Sequence, residues 1–351
     1  MNPPLRFALI GCGRIGQRHA DIMASMGALV AVCDIDEEKC RQLAKRHAAL
    51  PFACADRLWQ ELQGNIDVAV ICTPNGLHAA QSIAALRAGC HVLCEKPMAL
   101  TMADAREMMT VARKAARHLW VVKQNRFNPP VQAVKQLLQE GRLGQIYSVQ
   151  LNGFWNRPAD YYEKSWKGTL ELDGGTLFTQ FSHFIDLLVW FFGPFVPEHA
   201  CLQNLGHTQS MEFEDTGIVT GRFESGALLG IHYTVNAYRH NMEGSIAIFG
   251  EKGTIKIGGQ YLNELDYQSL EGEPVSGLPA GNPPNQYGSY TGSMSNHPEV
   301  YRNLLMVLAG NGQMINSIEE AAATVEAIER IYSLAGRSPA PTLQRPEVVS
   351  H

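Results

Sequence analysis

Apolar and polar positions follow two different rhythms along this chain. In the first third, short apolar runs at residues 6–10, 28–34, 68–72, 91–94 and 119–123 are separated by stretches with apolar residues three and four apart, at 15–26, 36–48, 77–88 and 102–117. Short apolar runs read as buried strands, and the longer spacing reads as amphipathic helices. Their regular alternation predicts right-handed βαβ units and a parallel, doubly wound sheet covered on both faces. The rhythm breaks near 125–130. Beyond it, alternation of period two dominates: residues 215–237 predict two strands turning at Glu224-Ser225-Gly226, and 244–258 predict another pair turning at Glu251-Lys252-Gly253. These are hairpin signals rather than crossover signals. Helical spacing reappears over 176–192, 299–309 and 317–335. The expected architecture is an α/β Rossmann domain over 1–124, then an α+β domain over 125–351 with a large, mainly antiparallel open sheet. Residues 258–295, rich in Gly, Pro, Asn and Ser, are expected to form a long surface loop of the functional or interfacial kind.

Composition narrows the picture. The 351 residues suit about two domains, and 45% hydrophobic with 18% charged residues is ordinary for a compact fold. A net charge of −5 with the signs interspersed leaves no basic footprint for nucleic acid. The longest apolar stretch, 184–195, contains Asp186 and a Gly-Pro pair and is too short to cross a bilayer. The first strand is expected to begin at Arg6, which leaves no room for a signal peptide, so none is expected and a cytoplasmic location is the expectation. Eight cysteines are scattered, several inside strand-like runs (Cys33, Cys72, Cys94), and Cys90 with Cys94 lacks a second pair at metal-ligand spacing. Buried reduced thiols and no metal are the expectation.

Candidate chemistry starts at Gly11-Cys12-Gly13-Arg14-Ile15-Gly16, a G-x-G-x-x-G run placed between a strand and a helix. Gly11 permits the tight turn, Gly13 lets the backbone approach a pyrophosphate, and Gly16 lets helix and strand pack closely. The helix start then offers free amides and positive dipole charge to phosphates. Asp34, ending the second strand, is placed to accept hydrogen bonds from both ribose hydroxyls and to repel a 2′-phosphate, so NAD is expected rather than NADP. A purely structural βα turn is the alternative. Thr73-Pro74-Asn75 and Glu95-Lys96-Pro97 follow two further strands. Ligands of such sheets bind beyond the carboxyl ends of strands, which aims Lys96 at the crevice where a nicotinamide belongs.

Together these motifs resemble the glucose–fructose oxidoreductase / inositol dehydrogenase / rhizopine catabolism family over nearly the whole chain. The marks are the Gly-rich turn, Thr73-Pro74-Asn75 with His78, and Glu95-Lys96-Pro97. The resemblance implies hydride transfer at a sugar-like hydroxyl, NAD held by 11–16, Asp34, 73–75, His78 and Glu95, and a lysine, Lys96, beside both nicotinamide and substrate. It also implies a facing histidine, His183 in the stretch 174–186, for which a core histidine is the plain alternative. Many members carry an aspartate four residues earlier; here that position is Thr179, so acid–base duty shifts toward Lys96, with Asp186 available to orient His183.

A narrower resemblance, carried by 122–130, 161–169 and 287–297, is to bacterial nucleotide-sugar 3-dehydrogenases of surface-polysaccharide synthesis, whose substrate is a UDP-N-acetylhexosaminuronic acid. It implies that Trp166 and Lys167 border the nicotinamide. Lys123, Asn125 and Arg126 would then border the sugar and its carboxylate, while Tyr290, Ser293, Ser295, Asn296 and His297 lie near the substrate or its nucleotide. Two bland alternatives stand beside it: Asn296 and Pro298 as a helix cap, and Arg126 as a domain-junction ion pair. Apolar residues on both faces of 217–223 and 227–233 add the expectation of a homodimer or homotetramer through the second sheet, as the family resemblance also implies. Three other functions remain open: an inositol or free-sugar dehydrogenase of the same family, an NAD-dependent glycoside hydrolase, and a non-catalytic NAD-binding sensor. The presence of Lys96 speaks against the last.

Overall fold

The structure, a computed structural model, describes residues 4–26, 29–163, 165–286 and 291–337. They form two compact units: 4–122 with 316–325, and 123–315 with 326–337. Lys123 and Gln124 thus begin the second unit, and a short segment near the end returns to the first.

The first unit runs β1 (Phe7–Ile10), α1 (Arg14–Ser25), β2 (Leu29–Cys33), α2 (Glu37–His47), β3 (Leu50–Phe52), α3 (Ala55–Glu61), β4 (Val68–Ile71), α4 (His78–Arg87), β5 (His91–Cys94), α5 (Met102–Lys114) and β6 (Leu119–Val121). Its six strands pair in parallel in the order β3-β2-β1-β4-β5-β6. Every residue of β1 and β4 is buried, as helices on both faces require. The order reverses between β1 and β4, and the crevice at their carboxyl ends is where such sheets take ligands. β3 and α3 were not anticipated, because a three-residue edge strand with two exposed positions carries no periodic signal. Helices α2 and α5 are capped by their sequence: the Asp36 side chain accepts from the Lys39 amide and Thr101 from the Asp104 amide, both at 3.1 Å.

The second unit runs α6 (Pro129–Gln139), β7 (Ile146–Phe154), α7 (Thr176–Thr179), α8 (Ser182–Phe192), β8 (Phe195–Gln203), β9 (Thr216–Phe223), β10 (Leu228–Thr234), β11 (Glu243–Gly250), β12 (Gly253–Gly258), β13 (Glu264–Leu270), β14 (Pro284–Gln286), β15 (Thr291–Met294) and α9 (His297–Leu308). A last helix, α10 (Ile318–Leu334), starts in the first unit and ends in the second. Seven strands form one sheet, β13-β12-β11-β7-β10-β9-β8, antiparallel throughout except for the parallel pair β7–β10. The β9–β10 and β11–β12 hairpins turn where the sequence placed them. On the inner face, Gly153 and Gly244 leave the room that Phe181 and Phe184 fill; a Cβ on either glycine would come within 2.8 Å of those rings. The outer face keeps Ile218 and Leu228 about half exposed, at 52% and 56%.

Three expectations change. The helix over 176–192 is two helices, α7 and α8, broken at Gln180–Phe181, where the chain seats Phe181 against β7 and between Trp155, Phe184 and Tyr233. Residues 258–295 are not structureless: β13 extends the sheet and β14–β15 form a separate hairpin. β7 and β8 were also missed; the inward set of β7 ends in glycine, and half the residues of β8 are exposed.

Candidate active site

The glycine-rich turn has the geometry its spacing predicts. Gly11 sits at φ +99°, and a Cβ there would meet the Cys72 carbonyl oxygen at 2.5 Å. A Cβ on Gly16 would lie 2.0 Å from the Gly11 oxygen, whereas Gly13 faces open space. Gly13 is the N-cap of α1, with no side-chain cap and no acidic residue in the first turn, so the amides around exposed Arg14 and half-buried Ile15 are left to an anion. Asp34 lies beside this turn: one carboxylate oxygen accepts from the Cys12 amide at 2.7 Å and the other from the Asp36 amide at 2.8 Å. The hydroxyl of Thr73 is buried without a hydrogen-bond partner among the described residues, at the β4 end of the same crevice. A bare helix start, an open glycine, an anchored carboxylate and an orphaned hydroxyl fit a dinucleotide.

At the end of β5, Glu95 is a brace. Its carboxylate lies 2.9 Å from His19 Nε2 and accepts from the Lys96 amide at 3.1 Å, with His19 and Glu95 both buried. His19, on the inner side of α1, was missed in the sequence; a histidine in that helix's apolar stripe was the available signal. Half-buried Lys96 therefore stands on a fixed backbone. His78, expected to touch cofactor, has its ring between the carbonyls of Pro97 at 2.7 Å and Thr73 at 2.9 Å, tying the two strand-end loops together. Burial lowers its pKa, against the pull of those carbonyls. Buried Asn75 opens a short turn after Pro74 at the β4 end.

In the second unit, Lys123–Phe127 and the β14–β15 hairpin meet α8. Gln124 Nε2 lies 3.1 Å from His183 Nε2 and donates to Ser293 Oγ at 3.0 Å. Buried Asn296, at the N-cap position of α9, does not cap it. Its amide donates instead to the Gln124 carbonyl and to Asn128 Oδ1, which fixes the turn bearing Asn125. The Ser295 amide donates to Pro283 O at 3.0 Å, and buried His297 opens α9 with Pro298 after it. Asn125 is 2% exposed, and neither end of its carboxamide has a partner among the described residues; Gln124 Oε1 likewise has none. Each such group costs on the order of 1–3 kcal/mol unless a ligand meets it.

Of the two readings of Arg126, a clamp for a substrate carboxylate or an ion pair, the structure shows an ion pair: the side chain is fully buried and grips Asp186 bidentately at 2.8 and 2.9 Å, donates to Ile315 O and stacks over Trp190. Lys123 Nζ reaches the same carboxylate at 2.9 Å. Asp186 is thus the centre of a buried ion triad. Burial opposes its ionisation, but the charges of Arg126 and Lys123 outweigh that and hold it well below the usual carboxylate range. Thr179, ending α7, turns its hydroxyl to the buried Asp173 carboxylate, which also accepts from the Gly168 amide at 2.8 Å. Lys167 sits 3.7 Å from the Tyr161 ring centroid, and half-buried Trp166 accepts from Thr169 through its carbonyl. Tyr290 lies outside the described residues.

Residues 5–123 match the model of an oxidoreductase family with an NAD-binding Rossmann fold, and residues 131–256 match the Gfo/Idh/MocA C-terminal domain. The WlbA dehydrogenase of Chromobacterium violaceum, solved with NADH and UDP-GlcNAcA, is 36% identical, with 98% of each chain covered and a TM-score of 0.86. The chain belongs to the Gfo/Idh/MocA oxidoreductase family. The WlbA dehydrogenase of Bordetella pertussis, solved with the same two ligands, is similar at 35% identity over 97% of this chain and 99% of that one, with a TM-score of 0.84. D-glucoside 3-dehydrogenase of Escherichia coli is 36% identical over 152 residues, 41% of this chain and 42% of that relative's length. Family membership makes the chain an NAD-dependent oxidoreductase of the kind that acts on sugar CH–OH groups. NAD is its cofactor. Eight free cysteines, six of them buried, agree with reduced thiols; burial pushes the Cys33 thiol up to about 12. No helix among the described residues is long and apolar enough to cross a membrane.

Proposed function

We propose that this enzyme oxidises carbon-3 of a UDP-N-acetylhexosaminuronic acid, in the synthesis of a surface polysaccharide. The observation that carries the reading is the whole-chain likeness to two dehydrogenases solved with NADH and UDP-GlcNAcA. The name of the D-glucoside 3-dehydrogenase supports the carbon. When bound, NAD accepts the hydride. Gly11, Gly13, Gly16 and Asp34 hold its phosphates and ribose, and Glu95 with His19 fixes the backbone of Lys96. Lys96 and His183 are assigned the proton of the reacting hydroxyl: one accepts it while the other steadies the alkoxide, a contribution of about 10²–10⁴-fold. Gln124 holds the His183 ring in place. With Arg126 engaged by Asp186, backbone amides and the buried Asn125 amide are left to meet the substrate's polar groups.

The test is absorbance at the NADH band under single-turnover conditions, so that slow release of NADH does not hide the reaction. UDP-N-acetylglucosaminuronate is expected to reduce bound NAD, while myo-inositol and glucose are not. Reaction of inositol with failure of the nucleotide sugar would replace this substrate by that of an inositol dehydrogenase. The same proposal includes a homodimer or homotetramer through the outer face of the seven-stranded sheet, supported by half-exposed Ile218 and Leu228. Sedimentation is expected to show an oligomer at micromolar concentration that Ile218→Lys with Leu228→Glu dissociates; a monomeric parent protein would contradict it.

A further inference from the structure

The hairpin β14–β15 carries a buried side chain that nothing above uses. Asn285 is 1% exposed, and both its Nδ2 and its Oδ1 lack a hydrogen-bond partner among the described residues. Pro284 pairs with Met294 and Gln286 with Thr291, and the register shifts between the two pairs, so Asn285 lies opposite the Gly292–Ser293 step of β15. Pro284 and Met294 turn to one side of the hairpin, where both line a cavity of about 520 Å³. Asn285, the next residue of β14, is not part of that lining. Ser293 accepts from Gln124, whose amide nitrogen reaches His183 Nε2. The unpaired Asn285 amide therefore lies across the hairpin from the step that contains Ser293, a member of the hydrogen-bond chain that ends on the candidate proton acceptor.

The geometry points to Asn285 as a specificity-determining residue that reads the hydroxyl next to the one being oxidised. A carboxamide with both ends open offers one donor and one acceptor, side by side. A carboxylate of the substrate supplies acceptors only and leaves Oδ1 unmet. A pair of neighbouring sugar hydroxyls supplies an oxygen that accepts from Nδ2 and an O–H that donates to Oδ1. Burial makes this selective: a site built to bond a hydroxyl rejects the analogue lacking it, because its own polar group is then left unpaired. The inference rests on the substrate reading above. In an N-acetylhexosaminuronate oxidised at carbon-3, carbon-2 carries the acetamido group, so the neighbouring hydroxyl is that of carbon-4.

A two-by-two cycle tests it, with the parent enzyme and Asn285→Ala each assayed on UDP-N-acetylglucosaminuronate and on its 4-deoxy analogue. The alanine variant is expected to lose on the order of 10- to 100-fold in kcat/KM on the natural sugar. On the deoxy analogue, parent and variant are expected to agree within about twofold, with NAD affinity unchanged in both. Asn285→Asp, of the same size but lacking the donor, repeats the comparison should the alanine variant bind NAD poorly. Equal losses on both sugars, or no loss on either, would overturn the assignment. Should the parent enzyme not reduce NAD with the nucleotide sugar at all, the substrate reading has failed by itself. The cycle is then run on myo-inositol and the deoxyinositol lacking the neighbouring hydroxyl, where the same selective loss is required.

Discussion

The strand ends of the first unit and the α8 region of the second are built from different materials. The first offers main-chain amides at the start of α1 and Asp34, itself held by two main-chain amides. The second is a cluster of side chains far apart in sequence: Gln124 touches His183 and Ser293, and Asn296 spans Gln124 and Asn128. A backbone cradle tolerates change at most side chains as long as three glycines survive. A side-chain cluster depends on each member and on the ion triad beneath it. On the function proposed above, the difference predicts that cofactor binding and substrate chemistry can be broken separately.

Lys96→Met should separate them most widely. Turnover is expected to fall about 10²–10⁴-fold, while NAD affinity, measured by fluorescence titration, stays within about twofold. Near-normal turnover would remove Lys96 from the chemistry. His183→Asn in the second unit should also lower turnover substantially without touching NAD affinity.

Asp186→Ala strikes the support of the second unit. It leaves Arg126 and Lys123 buried with their shared carboxylate removed, a change that costs about 3–5 kcal/mol. Denaturant unfolding of the variant measures it. The pH dependence has a definite sign: the folded pKa of Asp186 is depressed, so its contribution is present above the unfolded value of about 3.9 and is lost as pH falls below it. The parent should weaken on acidification below about pH 4, and Asp186→Asn should flatten that slope.

The smallest effect sharpens the first unit alone. NAD is expected to bind at least about tenfold more tightly than NADP, a difference of roughly 1.4 kcal/mol. Asp34→Ser with exposed Ile35→Arg should narrow or invert that ratio. Equal affinities in the parent would mean that Asp34 does not read the ribose.

What could be read in the sequence was local. Gly11, Gly13, Gly16 and Asp34 lie within one βαβ passage, so their spacing alone carried the turn, the bare helix start and the carboxylate beside it. The two hairpins were legible for the same reason, since a turn and its alternating flanks are neighbours in the chain. Arg126 read equally as a substrate clamp or as an ion pair with an unnamed partner. That partner is Asp186, which no spacing could name, because 60 residues separate the two and only folding brings a buried fork against a buried carboxylate. The break between α7 and α8 was equally hidden: helical spacing ran through it, and the packing of Phe181 against β7 decided otherwise. Asn285 had no signal at all, for an asparagine in a Pro- and Gly-rich stretch reads as a turn. Its burial and its unpaired amide exist only once the β14–β15 hairpin has formed and Ser293 has met Gln124. The sequence by itself determined the groups whose partners lie a few residues away. Tertiary structure decided every contact between distant side chains, because loop closure brings together residues that no local spacing relates.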